Sequence, residues 1–511
     1  EAPRLGLLAN RAGVEDDQVG ILESRRLPEA QLLEHALDPL RVVSVHLTAE
    51  GGDVVAAQGS SVATSAHQEA ARIAAACRAP SIGEVESLLA AAHELLQKNT
   101  ESVEYGGTTW RYSVPSRSTY PHQWLWDSCF HATIWSLFDL PRACDELRSI
   151  LLWQHEDGLI PHIVFWHSES LPRRFWHHLE STDAWSFTRS ERPKTTVLTQ
   201  PPVLASTVER LVLAGAEDFL AETLPRLERY YRYLATNRDP DSDGLISTIC
   251  QFETGLDYSP AYDQSLSVRF DQPLRISMAV RRVKLANKLT GYDLERIFAS
   301  ERHVEDVLVN TIWIDNLKAL ARLARRANEE ELASWAEAKA VQALQSLLER
   351  SWDVNRGLFF NLDGSEEKRP DVKTIQCLMP LLLDDLPPEM VERLLEHLTN
   401  PKEFGAPYPV PSVALDEPSY SDGCNFGRTR LIWRGPFSMN TNWFLWQGLL
   451  RHREPGLASH LVERSLSVVE RSGFNEFFSA ESGDPLGADH FGWATLVADM
   501  EVSGKARPSL S

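Results

Sequence analysis

The sequence predicts a mainly helical protein: a toroid of repeated helix pairs with its functional loops gathered at one end. Three observations carry this. About a dozen segments repeat apolar residues at helical spacing. The tetrapeptide Asp157-Gly158-Leu159-Ile160 recurs as Asp243-Gly244-Leu245-Ile246, with a weaker echo at Arg356-Gly357-Leu358-Phe359. Each copy follows a predicted helix and leads into a polar loop, and the two full copies stand apart by the length of about two helical hairpins.

Residues 1–80 differ from the rest. Residues 41–48 read as a strand, Gly51-Gly52-Asp53 as a turn and residues 54–57 as a returning strand. This is either a small β appendage or the tail of an N-terminal β domain. The chain opens on Glu1 rather than Met, which leaves room for a missing upstream part. The toroid takes residues 81–511. It starts at Ser81, which with Glu84 forms a capping box for a helix carrying Val85, Leu88, Leu89, Ala92, Leu95 and Leu96 on one side. Further helices are predicted over 128–138, 141–154, 203–214, 217–236, 262–290, 304–327, 329–350, 374–383, 388–398, 440–452, 457–471 and 492–500.

With 511 residues, 43% hydrophobic and 24% charged, the chain can bury a large core as one large domain with an appendage or as two domains. Its formal net charge of −21 sets up a field that repels polyanions, so nucleic acid and anionic membrane are excluded as main partners. The six cysteines are scattered without a C-x-x-C pair, which fits a reducing compartment and no zinc cluster. No apolar run is long enough to span a membrane and no signal sequence opens the chain, so a cytoplasmic location is expected. Fifteen Trp exceed ordinary packing needs. Indole faces stack on the C–H faces of sugars, although large helical proteins also use Trp as core filler.

Asp239-Pro240-Asp241-Ser242-Asp243-Gly244 has the opening of a calcium loop, with acids at positions 1, 3 and 5 and glycine at 6. Position 12 is Cys250 where a bidentate Glu would stand, and Asp243-Gly244 already belongs to the repeat. The reading is therefore no metal and no cofactor.

Four polar, aromatic-rich segments break the helical period. The first runs Tyr120-Pro121-His122-Gln123-Trp124-Leu125-Trp126-Asp127. Asp127 can be a plain helix N-cap, but two indoles just before it favour a sugar subsite in which it holds hydroxyls. In the second, Gln200 precedes Pro201-Pro202 and is either structural or a rigidly held donor and acceptor for ligand. The third, residues 251–263, interleaves Glu253, Asp257 and Asp263 with aromatics, and Gly255 lets backbone approach a ligand. The fourth is split between Trp433-Arg434-Gly435-Pro436 with Asn442-Trp443, and Glu476 among Phe474, Phe477 and Phe478 ahead of Trp493. Glu476 is either a partly dehydrated base or a buried partner for an Arg.

In this order, Gln123 to Asp127, Gln154 with Asp157 to His162, Gln200-Pro201-Pro202, Glu253 to Pro260, Trp433 to Pro436, Asn442-Trp443, Glu476 and Phe491-Gly492-Trp493 resemble the inverting α-glycosidases built on a six-hairpin (α/α)6 toroid. The likeness is to glycoside hydrolase family 63 and its bacterial mannosylglycerate and glucosylglycerate hydrolase relatives, and more distantly to family 37 trehalases. The resemblance covers residues 100–500. It implies a hydrolase of a small α-glucoside or α-mannoside, with Asp257 as general acid and Glu476 as general base. Tyr120, Trp124, Trp126, Asp127, Gln200, Glu253, Gly255, Trp433, Arg434 and Trp493 are the implied substrate contacts. Thr254, Ala261-Tyr262 and Phe437-Ser438-Met439 depart from the family's usual residues and bear on which substrate is taken.

Inversion needs one carboxylic acid to protonate the leaving oxygen and one carboxylate to activate water on the other face, about 6.5 to 9.5 Å away. Asp257 must therefore be held protonated, and Glu476 ionised by hydrogen-bond donors or water. Two other readings stand beside this one. One is a sugar-binding toroid without catalysis. The other is a sugar epimerase or isomerase on the same fold, for which His122, His162 and His490 are the histidines in these segments. The partner is in every case a small carbohydrate, and the oligomeric state stays open.

Overall fold

The computed structural model describes residues 82–167, 194–423, 425–426 and 429–505. The expected β segment of residues 1–80 and the capping box of Ser81 with Glu84 lie outside the described side chains, as do Cys77 and Cys424. Helix α1 (Ile82–Lys98) leads into a hairpin of β1 (Thr100–Tyr105) and β2 (Thr108–Ser113), turned by Gly106-Gly107 at positive φ. Sequence reasoning did not anticipate this hairpin, whose outward residues carry no apolar alternation.

Five helical pairs follow. They are α2 (Leu125–Trp135) with α3 (Leu140–Leu151), α4 (Leu204–Leu213) with α5 (Glu217–Asn237), and, after an excursion through α6 (Pro273–Leu289) and α7 (Leu294–Phe298), α8 (Val307–Arg326) with α9 (Glu330–Ser346). A 3₁₀ segment, Ile375–Leu382, pairs with α10 (Pro388–Thr399), and α11 (Met439–Arg451) with α12 (Pro455–Ser472). Finally α13 (Leu496–Lys505) packs on α1, so the first and last described helices make the sixth pair.

The first member of each of the five pairs, together with α13, makes a closed inner ring: α2 touches α4, α4 touches α8, α8 the segment 375–382, that segment α11, α11 α13, and α13 α2 again. Composition explains which helices go inside. All eleven residues of α2 are buried, as is the whole of 375–382, whereas α3 and α10 bury only one stripe. A helix apolar all round can only be satisfied at the centre. This is the (α/α)6 toroid that the sequence predicts, and one continuous core runs through it.

The repeated Asp-Gly-Leu-Ile motif marks the same turn in successive pairs, where an outer helix ends and the chain returns inward. One helical pair separates the two copies and not the two that their spacing suggests, because a long connection precedes α4. Asp157 accepts from the Leu159 amide and Asp243 from the Leu245 amide through Oδ1. Gly158, Gly244 and Gly357 all have positive φ, and each packs on the next outer helix. A Cβ on Gly158 would sit 2.5 Å from the Arg229 carbonyl oxygen, and one on Gly244 2.9 Å from Gln342 Cγ.

Helix boundaries agree closely with the expectation except in three places. The predicted helix 262–290 is a 3₁₀ turn at Pro260–Tyr262 and a helix that starts only at Pro273, because proline takes the first helical position and bars helical backbone from Gln272 before it. Residues 375–382 coil as 3₁₀ around Pro380, which lacks the amide an α-helix needs. The last helix is preceded by a 3₁₀ turn, Gly492–Thr495, and runs to residue 505.

Short antiparallel strands brace the loops that enter the inner ring. They are β3 (Gln123–Trp124), β4 (Ile163–Phe165) and β5 (Lys194–Thr195) in one sheet, and β6 (Ser247–Thr248), β7 (Val304–Glu305) and β10 (Leu362–Asp363) in another. Two-stranded pairs join β8 (Trp352–Asp353) to β9 (Leu358–Phe359), β11 (Asn425–Phe426) to β12 (Thr429–Arg430), and β13 (Asn475–Phe478) to β14 (Pro485–Asp489). No helix among the described residues is long and apolar enough to cross a membrane.

Candidate active site

The stretches singled out from sequence are the entries to the inner segments: 120–127 enters α2, 199–202 enters α4, 251–263 lies on the way to α8, 433–434 enters α11 and 476–493 enters α13. Because the inner segments all run the same way, these entries converge at one end of the ring. Tyr120, Trp124, Trp126, Asp127, Gln200, Gly255, Asp257, Trp433, Glu476 and Trp493 line a single pocket there, with Pro115, Phe252, Ile432 and Phe491. Phe252, Ile432 and Phe491 stood in or at the edge of the expected segments without a role, and Pro115 gave no signal in the sequence.

The walls are aromatic. Trp126 meets Trp493 edge to face at 5.9 Å, Trp433 lies 6.1 Å from Trp493, and Phe491 packs on Trp493 at 4.4 Å. Trp433 holds a left-handed backbone (φ 60), as does Tyr258 (φ 67) beside Asp257. Such conformations in bulky residues cost energy and persist only where surrounding structure fixes them. Other indoles, Trp313 and Trp443 among them, are core filler, so the packing reading accounts for part of the Trp excess.

Glu476 sits on β13, where the pairing with β14 slips between Asn475 and Phe477. This irregularity re-aims a side chain that regular alternation would fix. The carboxylate is buried. Its Oε1 accepts from the Tyr120 hydroxyl at 2.7 Å and its Oε2 from the Ala488 amide at 2.8 Å. Gly487 on β14 makes room for it, since a Cβ there would come within 2.7 Å of Oε2. The Trp493 indole donates to the Glu476 carbonyl at 3.1 Å.

Asp127 is the third residue of α2 and not its N-cap, which is Trp124. It is buried and its Oδ1 has no hydrogen-bond partner. Burial pushes its carboxyl well above the usual range, and the neighbouring Glu476 charge adds to this. Gln200 accepts from the Trp126 amide through Oε1 at 3.1 Å, which fixes the side-chain amide in the pocket wall. Asp257 is partly exposed in the turn between two 3₁₀ segments. Gly255 lines the pocket, but what demands glycine there is the Trp126 indole: a Cβ would lie 2.2 Å from Cζ2.

Two expected contacts lie elsewhere. Glu253 is buried in a bidentate pair with Arg238 (2.7 and 2.8 Å) and accepts from the Ile249 and Thr199 amides, so it clamps the Gln200 and Asp257 loops together instead of facing the pocket. Arg434 is consumed by Asp263 at 2.5 and 2.9 Å. In both cases a desolvated charge took the nearest opposite charge.

No histidine is among the pocket residues described. Burial drives His162 down to about 3, so it stays neutral, and His490 is exposed. The carboxylates of Asp239, Asp241 and Asp243 do come within 4.8 Å of one another, but the Arg350 guanidinium sits against them, 3.3 Å from Asp243 and 3.8 Å from Asp241. A larger cavity of about 260 Å³, against about 40 Å³ for the aromatic pocket, lies among α2, α4, α8, α11 and α13. Its charges are neutralised internally, as in Arg210 with Asp499, Arg322 with Glu209 and Arg451 with Asp315. The aromatic pocket, with converging carboxyl groups and an unpartnered buried oxygen, is where a polar ligand has something to gain.

Comparison with known proteins agrees with this geometry. The family model described as the mannosylglycerate hydrolase MGH1-like glycoside hydrolase domain matches residues 120–494. A mannosylglycerate hydrolase of Thermus thermophilus is 29% identical over 80% of this chain and 98% of its own. A glucosylglycerate hydrolase of Mycolicibacterium hassiacum is 27% identical over 74% of this chain and 92% of its own. The crystal structure of a GH63 mannosylglycerate hydrolase from Thermus thermophilus in complex with glucose superposes with a TM-score of 0.68 at 28% identity, covering 81% of this chain and all of that one. Toroid, aromatic pocket and a match spanning every one of the pocket-lining segments from Tyr120 to Trp493 make the chain a glycosidase, a member of the mannosylglycerate hydrolase MGH1-like glycoside hydrolase family.

Proposed function

We propose that this enzyme hydrolyses an α-linked glycosylglycerate with inversion at the anomeric carbon. The observation that carries the reading is the pairing of two unlike carboxyl groups in one aromatic pocket: Glu476, buried and fed by two hydrogen-bond donors, and Asp257, partly exposed on a turn. Donors aimed at Glu476 favour its ionised form, as a general base requires, and the base takes a proton from the attacking water. Asp257 protonates the departing oxygen, so that glycerate leaves as an alcohol. Asp127, whose carboxyl burial pushes well above the usual range, presents a free Oδ1 that can accept from a sugar hydroxyl. Tyr120, Trp124, Trp126, Gln200, Trp433 and Trp493 shape the subsite by stacking and through the Gln200 NH₂.

Glycerate as the aglycone is supported by the names of the relatives and by a structure of the Thermus protein in complex with Tris and D-glycerate, 27% identical to this chain. The four described cysteines are free thiols, which supports a cytoplasmic enzyme. The test is a panel of mannosylglycerate, glucosylglycerate, trehalose and simple α-glycosides with NMR detection of the first anomer released. A β-anomer from an α-linked glycerate conjugate is expected, and an α-anomer overturns inversion. Asp257→Asn and Glu476→Gln should each lower turnover by about 10²-fold or more with the fold intact. Near-normal rates in either would remove that residue from its role.

A further inference from the structure

Residues 254–262 hold Asp257 in place although they belong to no long helix or strand. Local bonds fold the stretch on itself: the Leu256 amide donates to Thr254 Oγ1 at 3.0 Å, the Ser259 amide to the Leu256 carbonyl at 3.1 Å, and the Tyr258 amide to the Gln251 side chain. These bonds shape the turn. The Glu253–Arg238 and Asp263–Arg434 pairs flank it, and within it Ser259 Oγ donates to Gln376 Oε1 at 3.0 Å. Gln376 in turn donates through Nε2 to Asp306 Oδ2. The same oxygen accepts from the Tyr262 hydroxyl at 2.8 Å and from Asn361 Nδ2 at 3.0 Å, while Oδ1 caps α8 by accepting from the Val309 amide at 3.1 Å. Ser259, Tyr262, Asp306, Asn361 and Gln376 are all at most 3% exposed.

We propose that Asp306 and Gln376 are positioning residues for the general acid, anchoring the Asp257 turn at Ser259 and Tyr262 to two neighbouring inner segments. This rests on the reading of Asp257 as the acid. The reason is geometric. Asp306 is the N-cap of α8 and Gln376 belongs to the segment 375–382, so the turn is pinned to a corner of the rigid ring from both sides. Three donors converge on one Asp306 oxygen, and only a carboxylate can accept them all together with the cap on the other oxygen. An amide at 306 would put NH₂ either against those three donors or against the Val309 amide. A catalytic group misplaced by about 1 Å costs on the order of 10²-fold in rate, so such an anchor is felt in turnover before it is felt in binding.

Two substrates with the same sugar separate this role from a general structural one. Cleaving the glycosylglycerate needs a proton on the leaving oxygen. The α-glycosyl fluoride does not: the C–F bond breaks to release fluoride, water bonds to the anomeric carbon, and its proton passes to the base. In Ser259→Ala and Gln376→Ala we expect kcat on the glycosylglycerate to fall about tenfold, with KM and the fluoride rate within about twofold of the parent enzyme. Ser259→Thr, which keeps the hydroxyl, should restore the glycosylglycerate rate. Equal losses on both substrates, or no loss on either, overturn the proposal. Asp257→Asn is the control: if it cleaves the glycosylglycerate at a near-normal rate, the acid assignment itself fails. If Asp257→Asn loses only the glycosylglycerate while Ser259→Ala and Gln376→Ala lose nothing, the acid stands and the anchor falls.

Discussion

Replacing Gly255 with alanine tests how tightly the pocket wall is built. The glycine has φ +71, a left-handed conformation that costs an L-residue about 1–2 kcal/mol. Its new Cβ would also lie 2.2 Å from Cζ2 and 2.3 Å from Cη2 of Trp126, so the indole or the turn must give way by more than an ångström. Trp126 is 1% exposed and wedged between Phe130 and Trp493, and overpacking of this kind costs about 1–3 kcal/mol more. The sum, about 2–5 kcal/mol, is a large part of a typical domain's stability of about 5–15 kcal/mol, yet it reaches no further than the lower end of that range. Gly255→Ala should therefore fold with a lowered urea midpoint and lose about 10²-fold in kcat, because the yielding element is either the pocket-lining indole of Trp126 or the turn bearing Asp257. Urea unfolding by tryptophan fluorescence and steady-state kinetics measure both. Unchanged stability together with unchanged turnover would refute the account of this wall.

Arg434→Leu should destabilise the fold by about 3–5 kcal/mol by stranding the buried Asp263 carboxylate, while leaving the preference for a glycerate over an uncharged aglycone unchanged. A selective loss of the glycerate substrate would instead return Arg434 to the binding site. Glu305 has its carboxyl pushed up to about 9, first by burial and then by the charges of Asp243, Asp241 and Glu367. A raised carboxyl contributes stability that is full below its unfolded value near 4.5 and is lost as pH rises through 9. Glu305→Gln should thus unfold at nearly the same urea concentration as the parent at pH 5 and be more stable by about 1–3 kcal/mol at pH 9. An equal difference at both pH values would show that charge is not the cause.

The outcome for particular residues shows what could be read in advance. Helices were legible because burial on one face or on all faces leaves a periodic trace, and the Asp-Gly-Leu-Ile turns were legible because three glycines meet the same steric demand. Glu253 and Arg434 looked like substrate contacts because each stands among aromatics. Their partners, Arg238 and Asp263, stood elsewhere in the sequence without any mark of pairing. Asp306 and Gln376 were not legible at all, since an acid before one helix and an amide in a proline-containing apolar run carry no sign that they meet at Ser259. The hairpin of β1 and β2 was missed for a related reason: its strands pack by cross-strand pairing more than by burial.

By itself the sequence determined the helical toroid and the four polar segments, which follow from local chemistry: period, turn residues, and polar residues among aromatics. The choice of Asp257 and Glu476 among several acids came from the family resemblance, since Glu253 and Asp263 stand among aromatics as well and are spent on Arg238 and Arg434. Tertiary structure decided which polar side chains face the pocket and which are spent on one another. That choice depends on which opposite charge or donor is nearest once water is excluded, and nearness across hundreds of residues exists only when the ring is closed.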